Sequence, residues 1–282
     1  MNKKDDGSRV SLHLRIWKTL YDTGLEAIAL KRSFFQSFLL SQETGRPLRV
    51  NRAEQAAFVE LRYEYFTALF AHAAYWVNLA SDNQDDLMRF LHKEIERARS
   101  FEFTHYVLHL GNVTDGKNKM QGLDLAARCL NLITKNNQGP KVVLENGAQI
   151  NKALGTDFED FELLLKKLDH PDRIWFCLDT AHAYAAGYDL SIHNEYERLM
   201  KDVDEAMSFN RLALIHLNDS AEPLGSQKDR HEVPGKGQMG PAVFQRLVND
   251  ERISCVPLLL ELPVLNLEDQ KNALALVESW LL

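Results

Sequence analysis

The sequence predicts an α/β fold, a single (β/α)8 TIM barrel, and three observations carry that prediction. Short apolar runs alternate with amphipathic helical patterns from residue 9 to the end of the chain. The runs are apolar throughout, which is typical of parallel strands covered by helices. About eight strand–helix repeats are present in 282 residues, and both the number of repeats and the length suit such a barrel.

In chain order, a first strand is expected at residues 9–14, a helical pattern at 16–23 and a second, short apolar strand at 27–30. Residues 31–50 mix basic and aromatic side chains and are expected to form an irregular loop suited to meeting a ligand, and a helix follows at 52–68. Further strands are predicted at 69–73, 105–110, 141–145, 173–179, 212–217 and 257–261. Further helices are predicted at 85–99, 120–134, 157–168, 194–209, 241–249 and 267–282.

The composition narrows the classes of protein. Hydrophobic residues make up 45% and charged residues 26%, as in ordinary soluble domains. The formal net charge of −7 excludes a strongly basic nucleic-acid binder, so a phosphate-bearing partner must be held by a local basic patch or by bound cations. Candidates for a basic rim are Arg32, Arg46, Lys228, Arg230 and Lys236.

Cysteine usage and the N-terminus bear on location. The three cysteines lie far apart, which argues against a disulfide framework and fits a reducing compartment. Residues 1–8 form a polar tail without the apolar core of a signal peptide, and no apolar run approaches the length of about 18 residues that a membrane span needs. We therefore expect residues 9–282 to form one domain, located in the cytoplasm, without a membrane partner.

Ionisable residues stand at the ends of six predicted strands. Such side chains are costly to bury without partners, and the C-terminal ends of barrel strands converge on one face. Carboxylates and imidazoles gathered there repel or lose hydration energy unless positive charge joins them, and divalent cations supply it. The six residues are His72, His109, Glu145, Asp179, His216 and Glu261.

Two further segments extend this set. His182 follows Asp179 by three residues, and the long loop after the seventh strand carries Asp229 and His231, whose side chains can face the same way. An isolated Asp-x-x-His pair is more often a helix cap beside a hydrogen-bonded histidine, but nine such residues together favour metal ions. The absence of cysteine favours open catalytic sites, and histidine with carboxylate suits Zn²⁺ or Mn²⁺ better than Mg²⁺. Nine ligands imply two or three ions, an arrangement that can catalyse phosphoryl displacement.

Several motifs resemble those of endonuclease IV, the zinc-dependent AP endonuclease family with a TIM-barrel fold. The resemblance runs from about residue 69 to residue 261, and the motifs keep the family's order. They are Cys177-Leu-Asp-Thr-Ala-His-Ala-Tyr-Ala-Ala-Gly-Tyr-Asp-Leu190, Ile215-His-Leu-Asn-Asp-Ser220, Pro223-Leu-Gly-Ser226, Asp229-Arg-His-Glu232, Val143-Leu-Glu-Asn146 and His72-Ala-Ala-Tyr-Trp-Val-Asn-Leu79.

The resemblance implies a hydrolase with three zinc ions, for which Mn²⁺ is a possible substitute. One ion would be held by His72 and His109 and a second by Asp179, His216 and Glu261, with Glu145 bridging the two. The third would be held by His182, Asp229 and His231. The resemblance further implies that a metal-bound hydroxide cleaves double-stranded DNA 5′ to abasic sites in base-excision repair, with Glu145 and Glu261 catalytic.

The same resemblance implies that Tyr75, with Trp76 beside it, contacts the DNA, although both aromatic side chains could simply pack over the strand end. The protein is expected to act as a monomer.

Departures from the family's pattern keep alternatives open. Leu110-Gly-Asn112 stands where the family has Pro-Gly-Ser, and Gly147-Ala-Gln149 stands where it has Thr-Ala-Gly. All nine candidate ligands remain. One alternative is a metal-dependent sugar isomerase or epimerase on a related TIM barrel, which needs only one or two ions. Another is a catalytically weak DNA-binding relative.

Overall fold

Eight parallel strands form a barrel surrounded by helices. The structure is a computed structural model that describes residues 8–40, 46–48, 51–136, 139–150 and 153–282. The neighbour order of the barrel strands is β1-β10-β7-β6-β5-β4-β3-β2. The barrel strands are β1 (Val10–Leu12), β2 (Phe34–Phe38), β3 (Ala68–His72), β4 (His105–His109), β5 (Lys141–Glu145), β6 (Ile174–Asp179), β7 (Leu212–His216) and β10 (Leu258–Leu260). Two short antiparallel strands, β8 (Asp219–Ser220) and β9 (His231–Glu232), lie outside the barrel.

The helices alternate with the strands. They are α1 (Leu20–Ala29), α2 (Arg52–Tyr65), α3 (Gln84–Ser100), α4 (Lys119–Thr134), α5 (Glu159–Leu165), α6 (Thr180–Ala185), α7 (His193–Met207), α8 (Pro241–Val248) and α9 (Leu267–Glu278). Side-chain caps start several of them where the sequence changes from strand to helix, and Asn118 with Gln121 forms a reciprocal capping box at α4. The predicted TIM barrel is therefore confirmed.

The barrel closes between its first two strands. His13 and Gln36 form a parallel bridge, and the Leu14 N–H donates to the Gln36 carbonyl oxygen at 2.8 Å. On the other side of β1, Val10 is in register with Leu258 of β10. Closure directs the C-terminal ends of all eight strands toward one mouth.

Apolar side chains fill the lower part of the barrel interior. Phe34, Phe70, Val107, Val143 and Leu259 form one buried cluster there. A larger layer between strands and helices forms the main core. The interior is therefore a packed core rather than a channel, and the candidate ligands lie at its mouth. At the opposite end, the His105 ring stacks on Phe70 with centroids 4.5 Å apart.

The predicted position of the second strand is wrong. Residues 27–29 belong to α1, which ends at the cap residue Leu30, and the strand is Phe34–Phe38. The segment 31–50 is thus not one irregular loop. Phe34 and Phe35 are buried, but the side chains of Gln36 and Ser37 are buried and polar, which hides the apolar pattern of a strand. The first helix also starts at Leu20 rather than residue 16.

The predicted polar tail, residues 1–8, lies outside the described residues except for Ser8. The Ser8 hydroxyl donates to Glu278 Oε1 at 2.7 Å, so the described chain begins against the last helix. In the part of the chain that the structure describes, no helix is both long and apolar enough to cross a lipid bilayer.

Candidate metal centre

All nine predicted ligands lie at the mouth of the barrel, where six of them line one cavity. The other three, Glu145, Asp179 and His216, are fully buried. His72, His109, Glu145, Asp179 and His216 are the last residues of their strands. Four other residues join them from adjoining segments: His182 on the first turn of α6, Asp229 on the loop between β8 and β9, His231 at the start of β9, and Glu261 directly after β10. The cavity has a volume of about 420 Å³.

Glu145 lies at the centre of the cluster and is fully buried. One of its oxygens, Oε2, lies 3.0 Å from His72 Nε2 and 3.5 Å from His109 Nε2. The other, Oε1, lies 2.9 Å from His216 Nδ1 and 3.4 Å from His182 Nδ1. The two oxygens therefore face two different groups of ligand atoms, which is the geometry a bridging carboxylate requires.

Three groups of histidines and carboxylates could each hold one ion, and a fourth set, Glu145, Cys177 and His216, shares two members with the second of them. His72, His109 and Glu145 form the first, and their ligand atoms lie within 4.8 Å of one another. By the same measure the second consists of Glu145, Asp179, His216 and Glu261, and the third of Asp179, His182 and His231.

Asp229 adjoins the third group. Its Oδ1 lies 3.3 Å from His182 Nε2 and 2.8 Å from His231 Nε2. The structure thus places two carboxylates, those of Asp179 and Asp229, beside the two histidines of the third group. The first two groups correspond to those that the resemblance implied.

The histidines are oriented as metal ligands usually are. His72 Nδ1 lies 2.8 Å from the Ala73 carbonyl oxygen, and His182 Nδ1 lies 3.0 Å from the Asn146 carbonyl oxygen. His216 Nε2 lies 3.0 Å from Gln36 Oε1. When one ring nitrogen donates to a fixed oxygen, the tautomer leaves the lone pair of the other nitrogen facing the cluster. The buried Nε2 of His231 faces the carboxylates of Asp229, at 2.8 Å, and of Asp179, at 3.6 Å. These donors fit divalent cations.

The pKa shifts of the cluster also fit the binding of cations. Burial alone raises the pKa of Glu145, but the imidazoles of His216 and His109 outweigh burial and hold that pKa well below its ordinary value. Burial alone lowers the pKa of His231, but Asp179 and Asp229 raise it to about 9. The pKa of His109 is lowered, chiefly by burial. The cluster thus favours positive charge between its carboxylates.

Amide side chains that sequence reasoning missed hold the carboxylates in place. Asn218 Nδ2 donates to Asp179 Oδ2 at 2.7 Å, and Asn218 Oδ1 accepts the Glu261 N–H at 2.8 Å. Gln36 Nε2 donates to Glu261 Oε1 at 2.7 Å. Asn218 could have been found from its place two residues after His216, but Gln36 lay in the misplaced strand.

His13 was also missed as a member of the site. Its Nδ1 lies 3.0 Å from Glu261 Oε1, and its ring packs on Phe38 with centroids 4.5 Å apart. Burial is the main reason why the pKa of His13 is lowered. It lies at the end of a predicted strand, as six of the nine candidate ligands do, and that signal could have placed it here.

The loop that carries Asp229 and His231 is held by one buried carboxylate. Asp219 accepts backbone N–H groups at both oxygens, from Ser220 and Met239 at Oδ1 and from Gly235 and Gly237 at Oδ2, over 2.8–3.0 Å. A Cβ on Gly237 would collide with the Ser220 carbonyl oxygen and the Asp219 carboxylate. The close approach of this backbone therefore requires glycine.

The two predicted DNA-contact residues differ in setting. Tyr75 is 87% exposed and lines the cavity mouth. Trp76 is about half exposed, and its ring packs against Phe90 with a centroid distance of 4.2 Å. Tyr75 is thus available to a ligand, whereas Trp76 is partly engaged in the fold.

The expected basic rim is corrected at one position. Arg32 lies between α1 and β2, at the end of the barrel opposite the mouth, where it donates to Glu278 and to the Val10 carbonyl oxygen. Lys228 and Arg230 on the loop after β8 both pair with Glu222.

Comparison with known proteins places the chain in a family. Residues 21–281 match the family described as xylose isomerase-like TIM barrel. A relative from Moorella thermoacetica, named probable endonuclease 4, is 33% identical over 280 residues, which cover 96% of this chain and 98% of the relative. The apurinic-apyrimidinic endonuclease 1 of Saccharomyces cerevisiae is 29% identical over 264 residues, 93% of this chain and 71% of the relative.

A solved structure agrees with these relatives. The crystal structure of endonuclease IV from Thermus thermophilus superposes with a TM-score of 0.82 at 28% identity, covering 97% of this chain and 98% of that chain. The sequence motifs, the barrel and the ligand cluster at its mouth agree with this likeness. The chain therefore belongs to the endonuclease IV family of xylose isomerase-like TIM barrels.

Proposed function

We propose that this protein is a metal-dependent AP endonuclease that hydrolyses the phosphodiester 5′ to an abasic site in double-stranded DNA. The observation that carries the proposal is the position of Glu145 between two ligand groups, with a third group adjoining them. Adjacent divalent cations suit the hydrolysis of a phosphodiester, because that reaction develops charge on both the attacking and the leaving oxygen.

The ligand set supports zinc. Imidazole nitrogen and carboxylate oxygen donors without a thiolate suit Zn²⁺ in open catalytic sites, with Mn²⁺ as a substitute. We propose three ions: one held by His72, His109 and Glu145, one by Glu145, Asp179, His216 and Glu261, and one by His182, His231 and the carboxylates of Asp179 and Asp229. Such ions lower the pKa of water and neutralise charge on phosphoryl oxygens.

The residues of the chain perform the remaining tasks. Glu145 and Glu261 fix the ligand geometry, and Gln36 and Asn218 hold Glu261. Three divalent cations would outweigh the charge of the four carboxylates, so the mouth would attract DNA although the whole chain is acidic. Tyr75 stands exposed at the rim, where it can contact the bases beside an abasic site. We propose that the protein acts as a monomer.

An incision assay tests the function. The substrate is a 5′-labelled duplex with one tetrahydrofuran abasic analogue, and the control is the same duplex without the lesion. We expect a single cut immediately 5′ to the analogue and none in the control. Failure to cut with full metal content would leave the weak DNA-binding alternative in place.

Metal content separates the function from the sugar isomerase or epimerase alternative. We expect elemental analysis of the purified protein to find about three zinc equivalents, because the histidine and carboxylate ligands form three groups. Removal of the metal with a chelator is expected to abolish incision and to lower the melting temperature, since ions that bind only the folded state stabilise it. A content of one or two equivalents, with activity on a ketose, would favour the alternative.

Replacing Gln36 with leucine is expected to weaken metal binding at the second group. Gln36 is buried and orients both Glu261 and His216, and loss of such an outer partner typically lowers metal affinity about 10- to 100-fold. Competition with a chromophoric chelator measures the effect, with Gln245→Leu on the exposed face of α8 as the control. Equal resistance of both variants to the chelator would show that Gln36 has no such role.

A further inference from the structure

The segment after β1 places the side chain of Arg15 at the mouth of the barrel, and Arg15 is not one of the candidate ligands. Side chains alternate along this extended segment: Leu12, Leu14 and Ile16 are buried in the core, whereas His13 faces the interior beside Glu261. Arg15 continues on the side of His13, one step nearer to solvent, and lines the same cavity as the ligands.

Arg15 carries the one permanent positive charge among the described residues that line this cavity. Two carboxylates, Asp229 and Glu261, line the cavity with it. Their oxygens face imidazoles and the Gln36 amide instead, and no ion pair joins Arg15 to an acidic residue in the part of the chain that the structure describes. Its charge is therefore available to an anion that enters the mouth.

Arg15 also differs from the arginines that support the fold. Arg9, Arg62 and Arg211 each donate to backbone carbonyl oxygens and so link neighbouring segments. Arg15 makes no hydrogen bond of that kind to the described residues, although it is half-buried. A guanidinium kept beside a cluster of metal ligands without a structural partner is suited to binding the substrate.

We propose that the Arg15 guanidinium binds non-bridging phosphate oxygens of the DNA strand at the cavity mouth and so positions the phosphodiester over the ligand cluster. The planar guanidinium matches the paired oxygens of a phosphate. The inference rests on the proposed phosphodiester substrate and adds a substrate-binding residue to it.

The test measures DNA binding as a function of salt for the wild-type holoenzyme and for R15Q, R15K and R128Q. Arg128 is exposed on α4 away from the cavity, so R128Q removes one positive charge without touching the mouth. The ligand is the incised duplex, which cannot be cut again, with a fluorescein label read by anisotropy. Incision of the intact abasic duplex is measured in parallel, and melting temperatures report folding.

For R15Q we expect binding to weaken about 10-fold and the slope of log Kd against log salt to fall by about 0.9, the value for one phosphate contact. R15K should restore the slope but not the full kcat/KM, because lysine cannot bind two oxygens in a plane. R128Q should behave as the wild type. All variants should melt near the wild-type temperature, since no hydrogen bond to a described residue is removed.

The experiment distinguishes failure of the endonuclease function from failure of the role given to Arg15. An R15Q slope and affinity equal to those of R128Q would overturn the role of Arg15, even if the wild type incises the abasic duplex. Wild-type protein that binds DNA with the expected Arg15 dependence but does not incise would overturn the endonuclease function alone. Wild-type protein that binds neither duplex would overturn the inference about Arg15.

Discussion

Replacing Glu145 with glutamine is expected to lower the incision rate by about 10³-fold or more while the barrel stays folded. Both carboxylate oxygens of Glu145 face ligand groups, and the substitution replaces one oxygen with an amide that cannot bind a cation. We therefore expect the single substitution Glu145→Gln to weaken the binding of the ions at both the first and the second ligand group. Single-turnover incision of the abasic duplex, at equal protein and metal concentrations, measures the loss.

The fold is expected to survive this change because its stability comes from elsewhere. The apolar cluster in the lower barrel and the layer between strands and helices do not include Glu145. Circular dichroism should match the wild type, and metal content should fall below three equivalents. The control is Glu205→Gln, an exposed residue on α7, which should keep full activity. An E145Q protein that retains incision would show that the bridging role is misassigned.

Replacing Asp219 with asparagine is expected to lower the free energy of unfolding by about 3 kcal/mol and to remove the third ion selectively. In the asparagine variant an amide NH₂ group would replace one carboxylate oxygen, and an NH₂ group cannot accept a hydrogen bond. Two hydrogen bonds from backbone N–H groups are therefore lost, and the NH₂ group is forced against those N–H donors. The loop from Asp219 to Met239 carries Asp229 and His231, and its loosening separates these two from His182.

Elemental analysis and thermal unfolding measure the two effects of the Asp219 change. Zinc content should fall from about three equivalents to about two, because the first two groups contain no residue of this loop. Asp189→Asn is the matched control, since Asp189 accepts the Ser191 N–H in a different loop and asparagine can do the same. Three equivalents of zinc in D219N protein, at unchanged melting temperature, would contradict the role given to Asp219.

The fold was predictable wherever strand sequences are apolar. The strands β3 to β7 and β10 fill the barrel with Val, Leu, Ile and Phe, and their predicted positions agree with the structure within about two residues. The strand β2 was misplaced because its buried residues Gln36 and Ser37 are polar and interrupt the apolar run. The polar side chain that interrupts the run at Gln36 is also the one that supports the site, because its amide forms hydrogen bonds with Glu261 and His216.

The candidate site was predictable as far as position along each strand decides it. In a parallel barrel every strand's C-terminal end reaches the same mouth, so a residue's place at a strand end suffices to predict the cluster around Glu145. Gln36 was not predictable because its strand was misplaced, and Asp219 was not because a carboxylate near a turn has many ordinary uses. Their roles depend on which atoms they reach.

The sequence by itself determined the barrel, the family and the nine candidate ligands, because apolar periodicity and strand ends are local properties of the chain. Only the tertiary structure decided which groups those ligands form, since distances such as that between Asp179 and His231 join distant segments. It also decided that Arg32 lies at the far end of the barrel while Arg15 faces the mouth. Arg15 follows the C-terminal end of β1, whereas Arg32 precedes the N-terminal end of β2, so the true position of β2 puts them at opposite ends of the barrel.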